Sequence, residues 1–433
     1  MENEPYTVLE EIHSDALLAS GKGRSSVWRS LGAFRVLGNR DYALLFWGQF
    51  ISATGTQMQM VAVTWQVYLL THSALALGLI GLIQALPRLL FSLVGGVLAD
   101  ALDRRKMLLI VNVVMMLLSA ILALCTNFQV VNLFIISVLI LLSAAASSFE
   151  FPARLAIIPH LASREQMTDA ISLDSMMVYL FAITGPTTGG LALAWFGVAS
   201  TYWVNVVSYL VVIAALLVLR VPPIPAEKRA QPGFGALSEG MRFLRAHPVI
   251  LALLSLDFCA TFFGVPRALL PVYAQDIMYL GPQGLGFLLA AGGIGAVALM
   301  PFQGLIMRIK RQGLWVVLAV TIWGMCVVAF GFFPNPLWLG VLFLAGTGAA
   351  DMVSVILQGI VVQCMTPDEL RGRISSVIAM FAIGGPMLGS FESGLVAGLV
   401  TPMFSVVSGG IACILATLLI LLVVPDLLKI KIK

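Results

Sequence analysis

Four ionisable side chains lie inside long apolar runs of the sequence, and they are the first candidates for chemistry. Arg88, Asp257, Asp351 and Glu392 each stand among mostly apolar neighbours. A charge at the centre of a bilayer costs at least about 2.5–3.5 kcal/mol on insertion scales, so a retained charge indicates a functional residue. We expect the carboxylates to carry a coupling proton, and the alternative is a buried polar clamp between helices. Arg88 either meets a substrate or an acid, or pairs structurally.

Polar residues near two of the acids follow helical spacing. Asp351, Ser354 and Gln358 are three and four positions apart, and Asp257 and Thr261 are four apart, so each set shares one helix face. Such a face lines either a cavity or a neighbouring helix. The candidate proton-coupling or substrate residues are therefore Asp257, Asp351, Arg88, Glu392, Gln59 and Gln358.

Three further features of the polar pattern carry expectations. One row of polar residues follows three- and four-residue steps and consists of Gln49, Ser52, Thr56, Gln59 and Gln66. This row lines either a transport pathway or a hydrogen-bonded seam between helices. Arg267, beside Pro266, is expected to snorkel outward. Glu150, Arg154 and Asp174 are expected to pair locally near the inner surface.

A loop motif places an acid just before a cluster of cations. It reads Gly96-Val-Leu-Ala-Asp100-Ala-Leu-Asp-Arg104-Arg105-Lys106. A carboxylate at the end of one helix can pair with cations in the following turn, or with a helix terminus, in one conformational state and separate in another. We therefore predict a gating loop formed by Gly96, Asp100, Arg104 and Arg105. The alternative is that the cations only set the topology.

The elements that position these residues are predicted to be membrane helices. The 433 residues are 60% hydrophobic and only 11% charged, whereas soluble proteins average about 25% charged residues. Because lipid offers the backbone no hydrogen bonds, such a chain spans as helices or as a closed barrel, and apolar runs of 18 or more residues favour helices. We predict twelve helices, at 42–70, 75–100, 107–126, 130–150, 168–194, 200–219, 248–275, 283–307, 314–333, 337–361, 374–399 and 403–424.

The cations predict an orientation for these helices. All but two of the 25 lysines and arginines lie in the amino-terminal segment, the tail or alternate connections, which indicates that both termini are cytoplasmic. We expect no cleavable signal peptide, because the acidic amino-terminal segment has no apolar core. The predicted organisation is a cytoplasmic segment (1–41), a six-helix bundle (42–220), a Pro-rich linker (221–247), a second six-helix bundle (248–424) and a cytoplasmic tail (425–433).

The two predicted bundles echo each other in sequence. Arg164-Glu-Gln-Met-Thr-Asp-Ala-Ile-Ser leads to Gly185-Pro186, and Pro367-Asp-Glu-Leu-Arg-Gly-Arg-Ile-Ser leads to Gly385-Pro386. A repeat of about half the chain, with six helices in each copy, is typical of secondary transporters whose site lies at midplane between the copies.

The loop motif resembles the signature between helices two and three of the major facilitator superfamily, although Ala101 and Asp103 depart from it. Other stretches resemble the efflux branch that includes enterobactin-exporter-like and macrolide-efflux-like proteins: Trp47-Gly-Gln-Phe-Ile-Ser, Phe151-Pro-Ala-Arg154 and Gly185-Pro186-Thr-Thr-Gly189-Gly190. The resemblance implies an all-α polytopic fold of two six-helix bundles. It also implies export driven by proton antiport.

Together these observations predict a secondary active transporter in the inner or plasma membrane that exports small amphiphilic molecules, of drug or siderophore type, by alternating access. An uptake carrier for a metabolite or lipid, and a non-transporting receptor, are the alternatives. We expect no enzyme activity, because no HExxH, GxSxG or GxxxxGK[ST] motif occurs. We also expect no cofactor, no metal and no nucleic acid. The expected partners are a small-molecule substrate, protons and the lipid bilayer, with the protein as a monomer.

Overall fold

A computed structural model describes residues 34–101, 103–163, 166–219, 242–367 and 370–430, and at 92–101, 151, 155–156, 159–160, 371–373 and 376 it describes the backbone alone. Within these ranges the chain forms helices and no strand. The helices are α1 (Arg40–Thr71), α2 (Ala74–Ala101), α3 (Arg104–Asn127), α4 (Leu133–Ser147), α5 (Glu150–Leu161), α6 (Met167–Val218), α7 (Pro248–Phe263), α8 (Gly281–Leu299), α9 (Gln312–Phe332), α10 (Leu337–Met365), α11 (Arg371–Leu399) and α12 (Pro402–Val423).

Helix starts follow ordinary capping chemistry. The side chain of Asn39 accepts hydrogen bonds from the first amides of α1, and Asp103, Asn132 and Thr401 do the same for α3, α4 and α12. These caps satisfy backbone donors that a helix cannot satisfy itself. Asp103, which departs from the loop signature, therefore has a structural task as the N-cap of α3.

Helix α6 is 52 residues long but reverses direction at Gly197, where φ is 80° and ψ is 178°. Before Gly197 it runs parallel to α1, since Tyr42 bonds the carbonyl of Ala170 and Thr54 contacts Thr184. After Gly197 it runs antiparallel to α1, as shown by the bonds of Tyr202 to Gln66, Asn205 to Gln59 and Tyr209 to Thr56. A positive φ suits glycine, which has no Cβ. Thus α6 supplies two crossings, as the sequence predicts.

Ten helical segments among the described residues are long and apolar enough to cross a membrane. They include α6 as one segment and omit α1, whose glutamines make it less apolar although it is 32 residues long. With α6 divided at Gly197 and α1 added, the described ranges hold twelve segments that are long enough to span the bilayer. The fourth crossing, predicted at 130–150, consists of α4 and α5 joined by the turn at Ser148 and Phe149, and it continues to Leu161.

The predicted continuous helix at 248–275 is wrong, because α7 ends at Phe263. Pro266 has no backbone N–H and cannot continue the helical ladder. The chain then forms a 3₁₀ turn, Arg267–Leu269, a short α-turn, Leu270–Val272, and a π-turn, Tyr273–Ile277. The indole Nε1 of Trp323 on α9 donates to the carbonyl oxygen of Gly264 at 2.8 Å, which satisfies one group that the break leaves free.

The helices of each half pack mainly with one another, and the halves meet along two seams. One seam joins α2 to α11, and the other joins the first segment of α6 to α8. The predicted linker, 221–247, falls largely on 220–241, outside the described residues, as does 1–33 of the amino-terminal segment.

Two faces of the bundle are distinguished by their charge. We call the end that holds Arg40, Arg104–Lys106 and Arg308–Arg311 the basic face. The other end, with the connections at 72–73, 128–132 and 400–401, is the opposite face; among the described residues, no lysine or arginine lies in these three connections.

Candidate functional site

A cavity of about 420 Å³ lies between the two halves. Its wall combines α1, α2, the α4–α5 crossing and α6 from the first half with the Arg267 turn, α8 and α11 from the second. Four ionisable side chains of the described residues line it: Arg88, Glu150, Arg154 and Arg267. The rest of the wall mixes amides and hydroxyls with apolar side chains, including Gln49, Gln57, Gln84, Thr64, Met60, Phe181, Leu289, Met387 and Ser390.

Both seams are closed tightly toward the opposite face. A Cβ atom added to Gly190 of α6 would lie 2.7 Å from the carbonyl oxygen of Pro282 and 2.8 Å from the Cα of Gly286. On the other seam, a Cβ added to Gly394 would lie 2.6 Å from the Cα of Gly78. Only glycine allows backbones to approach this closely. These contacts separate the cavity from the opposite face.

A hydrogen bond adds to the closure at the same end. The hydroxyl of Tyr68, near the end of α1, donates to the carboxylate of Asp276 in the π-turn. The bond joins the first half to the second. The closure therefore combines close backbone packing with a charge-assisted bond.

Arg88 follows Pro87 within α2 and lines the cavity, as does Glu150 on the α4–α5 crossing. The charges of these two groups interact, and Glu150 also interacts with Arg154. Arg154 in turn forms a salt bridge to Asp174 at 3.4 Å. The expected local pairing is therefore confirmed for Arg154 and Asp174, while Glu150 additionally faces the cavity.

Arg267 does not snorkel outward as predicted but lines the cavity. Its side chain is exposed in the structure, and the space to which it is exposed is this internal cavity. The break after α7 turns the chain so that Arg267–Leu269 packs against α2 and α11. The helix break is thus the local reason why a cation from the second half reaches the cavity.

Asp257 and Asp351 lie close enough for their charges to interact, and Asp351 also interacts with Arg267. Tyr179 of α6 lies within the same electrostatic range of Asp351. Neither aspartate is part of the cavity wall. The charges of the two predicted acids thus interact with each other and, through Asp351, with Arg267 of the cavity wall, while neither acid lines the cavity.

The other predicted candidates lie outside the wall. Glu392 is half-buried on α11, near the seam with α2, and does not line the cavity. The amide of Gln358 donates to the Ser354 hydroxyl at 2.7 Å, and the carbonyl of Gln59 accepts from Asn205 at 2.7 Å. These two glutamines therefore make internal hydrogen bonds.

The polar row of α1 serves both of its alternative roles. Gln49 and Thr56 line the cavity, whereas Gln59 and Gln66 bond to the second segment of α6. Helical spacing identifies the row but does not divide it between two neighbours.

The gating loop is described only in part. Gly96 and Asp100 lie in the stretch of α2 for which the backbone alone is described, so the predicted pairing of Asp100 lies outside the described side chains. Arg104 is the half-buried first residue of α3. Arg105 donates to the carbonyls of Leu216 and Leu217, each at 2.7 Å, and so caps the end of α6.

No group of three or more His, Cys, Asp or Glu side chains in the described ranges is arranged to hold a metal ion. Sequence reasoning did not select Glu150 and Arg267 as site residues. A signal for Arg267 was present, since Gly264-Val-Pro266 interrupts an apolar segment, and discontinuous helices are typical of transporter binding sites.

Comparisons with known proteins agree with this architecture. A family model described as transmembrane secretion effector matches residues 31–430. The enterobactin exporter EntS of Escherichia coli O81 (strain ED1a) is 30% identical over 393 residues, covering 90% of this chain and 93% of that protein. EntS of Shigella boydii serotype 18 (strain CDC 3083-94 / BS512) is similar to the same extent, at 30% identity and the same coverage.

Solved structures support the fold alone. The nucleoside transporter NupG superposes with a TM-score of 0.73 at 14% identity, over 88% of this chain and 98% of that one. A POT family transporter in complex with 5-aminolevulinic acid gives a TM-score of 0.72 at 11% identity, over 90% of this chain and 97% of that one.

Proposed function

The chain belongs to the transmembrane secretion effector family of the major facilitator superfamily, and from this premise we propose that it is a proton-coupled exporter of small amphiphilic molecules of siderophore type. The observation that carries the proposal is the cavity between the halves, closed toward the opposite face by two glycine seams. The relatives described above are named as enterobactin exporters, so enterobactin is the first substrate to test.

Alternating access is the proposed mechanism. With the opposite face closed, substrate enters the cavity from the basic face. Rocking of the two groups of helices then breaks the α2–α11 and α6–α8 seams and opens the cavity to the opposite face. Gly96, Asp100, Arg104 and Arg105 are the proposed gating residues that close the basic face in that second state.

The proposed orientation follows from charge. Because lysine and arginine are retained on the cytoplasmic side, the basic face lies in the cytoplasm together with both termini. Export then means movement from the basic face to the opposite face of the inner or plasma membrane.

Asp257 and Asp351 are the proposed proton carriers. They are intramembrane acids whose charges interact with each other, and Asp351 also interacts with the cavity-lining Arg267. When Asp351 takes up a proton, its negative charge is neutralised, and the electrostatic interaction between Asp351 and Arg267 is lost. This arrangement links proton occupancy to the state of the cavity without placing the acids in the wall itself.

The test is flux in inside-out vesicles whose lumen is acidic. The exporter has its basic face outward there, so protons leaving the lumen drive enterobactin in. We expect enterobactin to accumulate in the vesicle lumen. A protonophore is expected to abolish this accumulation, and the double variant Asp257→Asn/Asp351→Asn is expected to remove it. If enterobactin accumulates only when the vesicle lumen is alkaline, the result supports an uptake carrier instead. The absence of any flux contradicts transport of this substrate.

A further inference from the structure

We propose that the cavity selects substrates by an anionic group, held between Arg88 of the first half and Arg267 of the second. The inference rests on the proposed function and specifies its substrate class: an amphiphile with a carboxylate or phosphate group and an apolar body. Composition alone, with its few charges and many apolar residues, favours no such choice.

The first observation is the charge of the cavity wall. Among the residues whose side chains are described, three arginines line it, Arg88, Arg154 and Arg267, against one acid, Glu150. Arg154 is committed to its salt bridge with Asp174 at 3.4 Å. The described part of the wall therefore carries an excess of positive charge, and Arg88 and Arg267 remain to meet a ligand.

The second observation concerns the partners of these two arginines. Among the described residues, neither Arg88 nor Arg267 forms a hydrogen bond or a salt bridge within 4.0 Å. Glu150 and Asp351 interact with them only through longer-range charge. A guanidinium presents five N–H donors in a planar fork that matches a carboxylate or a phosphate. Both forks thus border the cavity with their donors available.

The third observation is that the two groups come from opposing halves and line the same cavity. The Arg267–Leu269 turn packs against α2, the helix that carries Arg88. One anion in the cavity can therefore interact with both halves.

The remainder of the wall fits an apolar body. Met60, Phe181, Leu289 and Met387 line the same space. The volume of about 420 Å³ falls within the range of sites for drug-sized ligands. The substrate chemistry that matches this wall is an anionic head with an apolar chain or ring.

The test measures binding to the purified full-length protein in nanodiscs of zwitterionic lipid. The probes are a dansyl-labelled C11 carboxylic acid, its methyl ester and the matching alkyl phosphate. We expect either anion to bind at least tenfold more tightly than the ester. Arg88→Gln and Arg267→Gln are each expected to weaken the anion by about 10- to 100-fold, because each removes hydrogen bonds to a charged group. Binding of the ester is expected to stay unchanged.

Two sets of variants control this measurement. Arg308→Gln removes an exposed arginine on the basic face, outside the cavity wall, and is expected to change nothing. Arg88→Lys and Arg267→Lys keep the charge but lose the fork, so they are expected to retain part of the preference. If a glutamine variant fails to fold, the lysine variants still test the role of the guanidinium group. In every variant, binding of the ester shows that the protein is folded.

The proposal is overturned if the ester binds as tightly as both anions, or if the arginine variants weaken ester and anion equally. A preference for the phosphate over the carboxylate, or the reverse, supports the proposal and identifies the head group. Enterobactin flux without any anion preference leaves the exporter in place and removes this inference. Anion preference without flux removes the exporter and leaves the binding site.

Discussion

Replacing Gly286 by alanine is expected to open the opposite face. The added Cβ would lie 2.6 Å from the carbonyl oxygen of Pro186 and 3.0 Å from the Cα of Gly190. Ordinary contact begins at 3.4 Å, so α8 and α6 must separate by about 0.8 Å, the difference between 3.4 and 2.6 Å, in the closed state. In the open state this contact is absent, and the methyl group costs nothing there.

The magnitude follows from the cost of overpacking, about 1–3 kcal/mol. Since this cost falls on the closed state alone, it shifts the equilibrium toward the open state by about 5- to 150-fold. Gly292→Ala is the matched control on the same helix, because its Cβ would meet no atom within 4 Å. Both variants gain the same helix propensity, so a difference between them reports the seam.

The assay is a pulsed electron-electron distance measurement at the opposite face. Spin labels at Val130→Cys and Val400→Cys, each 57% exposed, report on the two halves in a background without the native cysteines. We expect Gly286→Ala to transfer population to a longer distance, and Gly292→Ala to leave the distribution as in the unmodified protein. An unchanged distribution in folded Gly286→Ala protein would refute the reasoning.

The remaining predictions concern coupling, the helix break and the cap of α6. Asp257→Asn and Asp351→Asn are each expected to lower proton-driven accumulation in vesicles at least about tenfold while substrate exchange without a gradient continues, because an amide cannot carry the proton at a site where charge is costly. Trp323→Phe is expected to destabilise the protein by about 1–3 kcal/mol in unfolding measurements, since it leaves the buried Gly264 carbonyl without its donor, and also to weaken anion binding. Arg105→Ala is expected to lower the thermal unfolding midpoint relative to Lys106→Ala, because only the former loses two bonds of 2.7 Å to the end of α6.

Each of these expectations has a contrary outcome. Full proton-driven accumulation in both asparagine variants would assign coupling to other groups. Anion affinity unaffected by Trp323→Phe would show that the break does not position Arg267. Equal unfolding midpoints for the Arg105 and Lys106 variants would remove the capping role of Arg105.

The membrane helices could be predicted because they depend on local composition. Apolar runs and the distribution of cations locate the twelve segments of the described ranges that are long enough to cross, including the pair that α6 supplies on either side of Gly197. The break after Phe263 was not predicted, because the residues around it are as apolar as those of a continuous membrane helix. Pro266 is a local signal of the break. Hydropathy reports burial in lipid and does not distinguish a helix from a turn packed inside the protein.

The sequence predicts some of the residues that matter for the candidate site, but not how they are arranged. Asp257 and Asp351 stand out because charge is rare in apolar segments, yet their proximity depends on the packing of α7 against α10. Gln49 and Gln59 have the same residue type and share a helix, but one faces the cavity and the other bonds Asn205. Which neighbour covers a given helix face is a tertiary fact that one-dimensional spacing does not contain.

The central claim is that one cavity opens alternately to the two faces. It is tested most directly at Ser390→Cys, a cavity-lining position, with a membrane-impermeant maleimide applied to either face. The account predicts labelling from the basic face at rest, and labelling from the opposite face once substrate and an inward proton gradient are present. Labelling at rest from the opposite face, or accessibility that substrate and protons do not change, would contradict it.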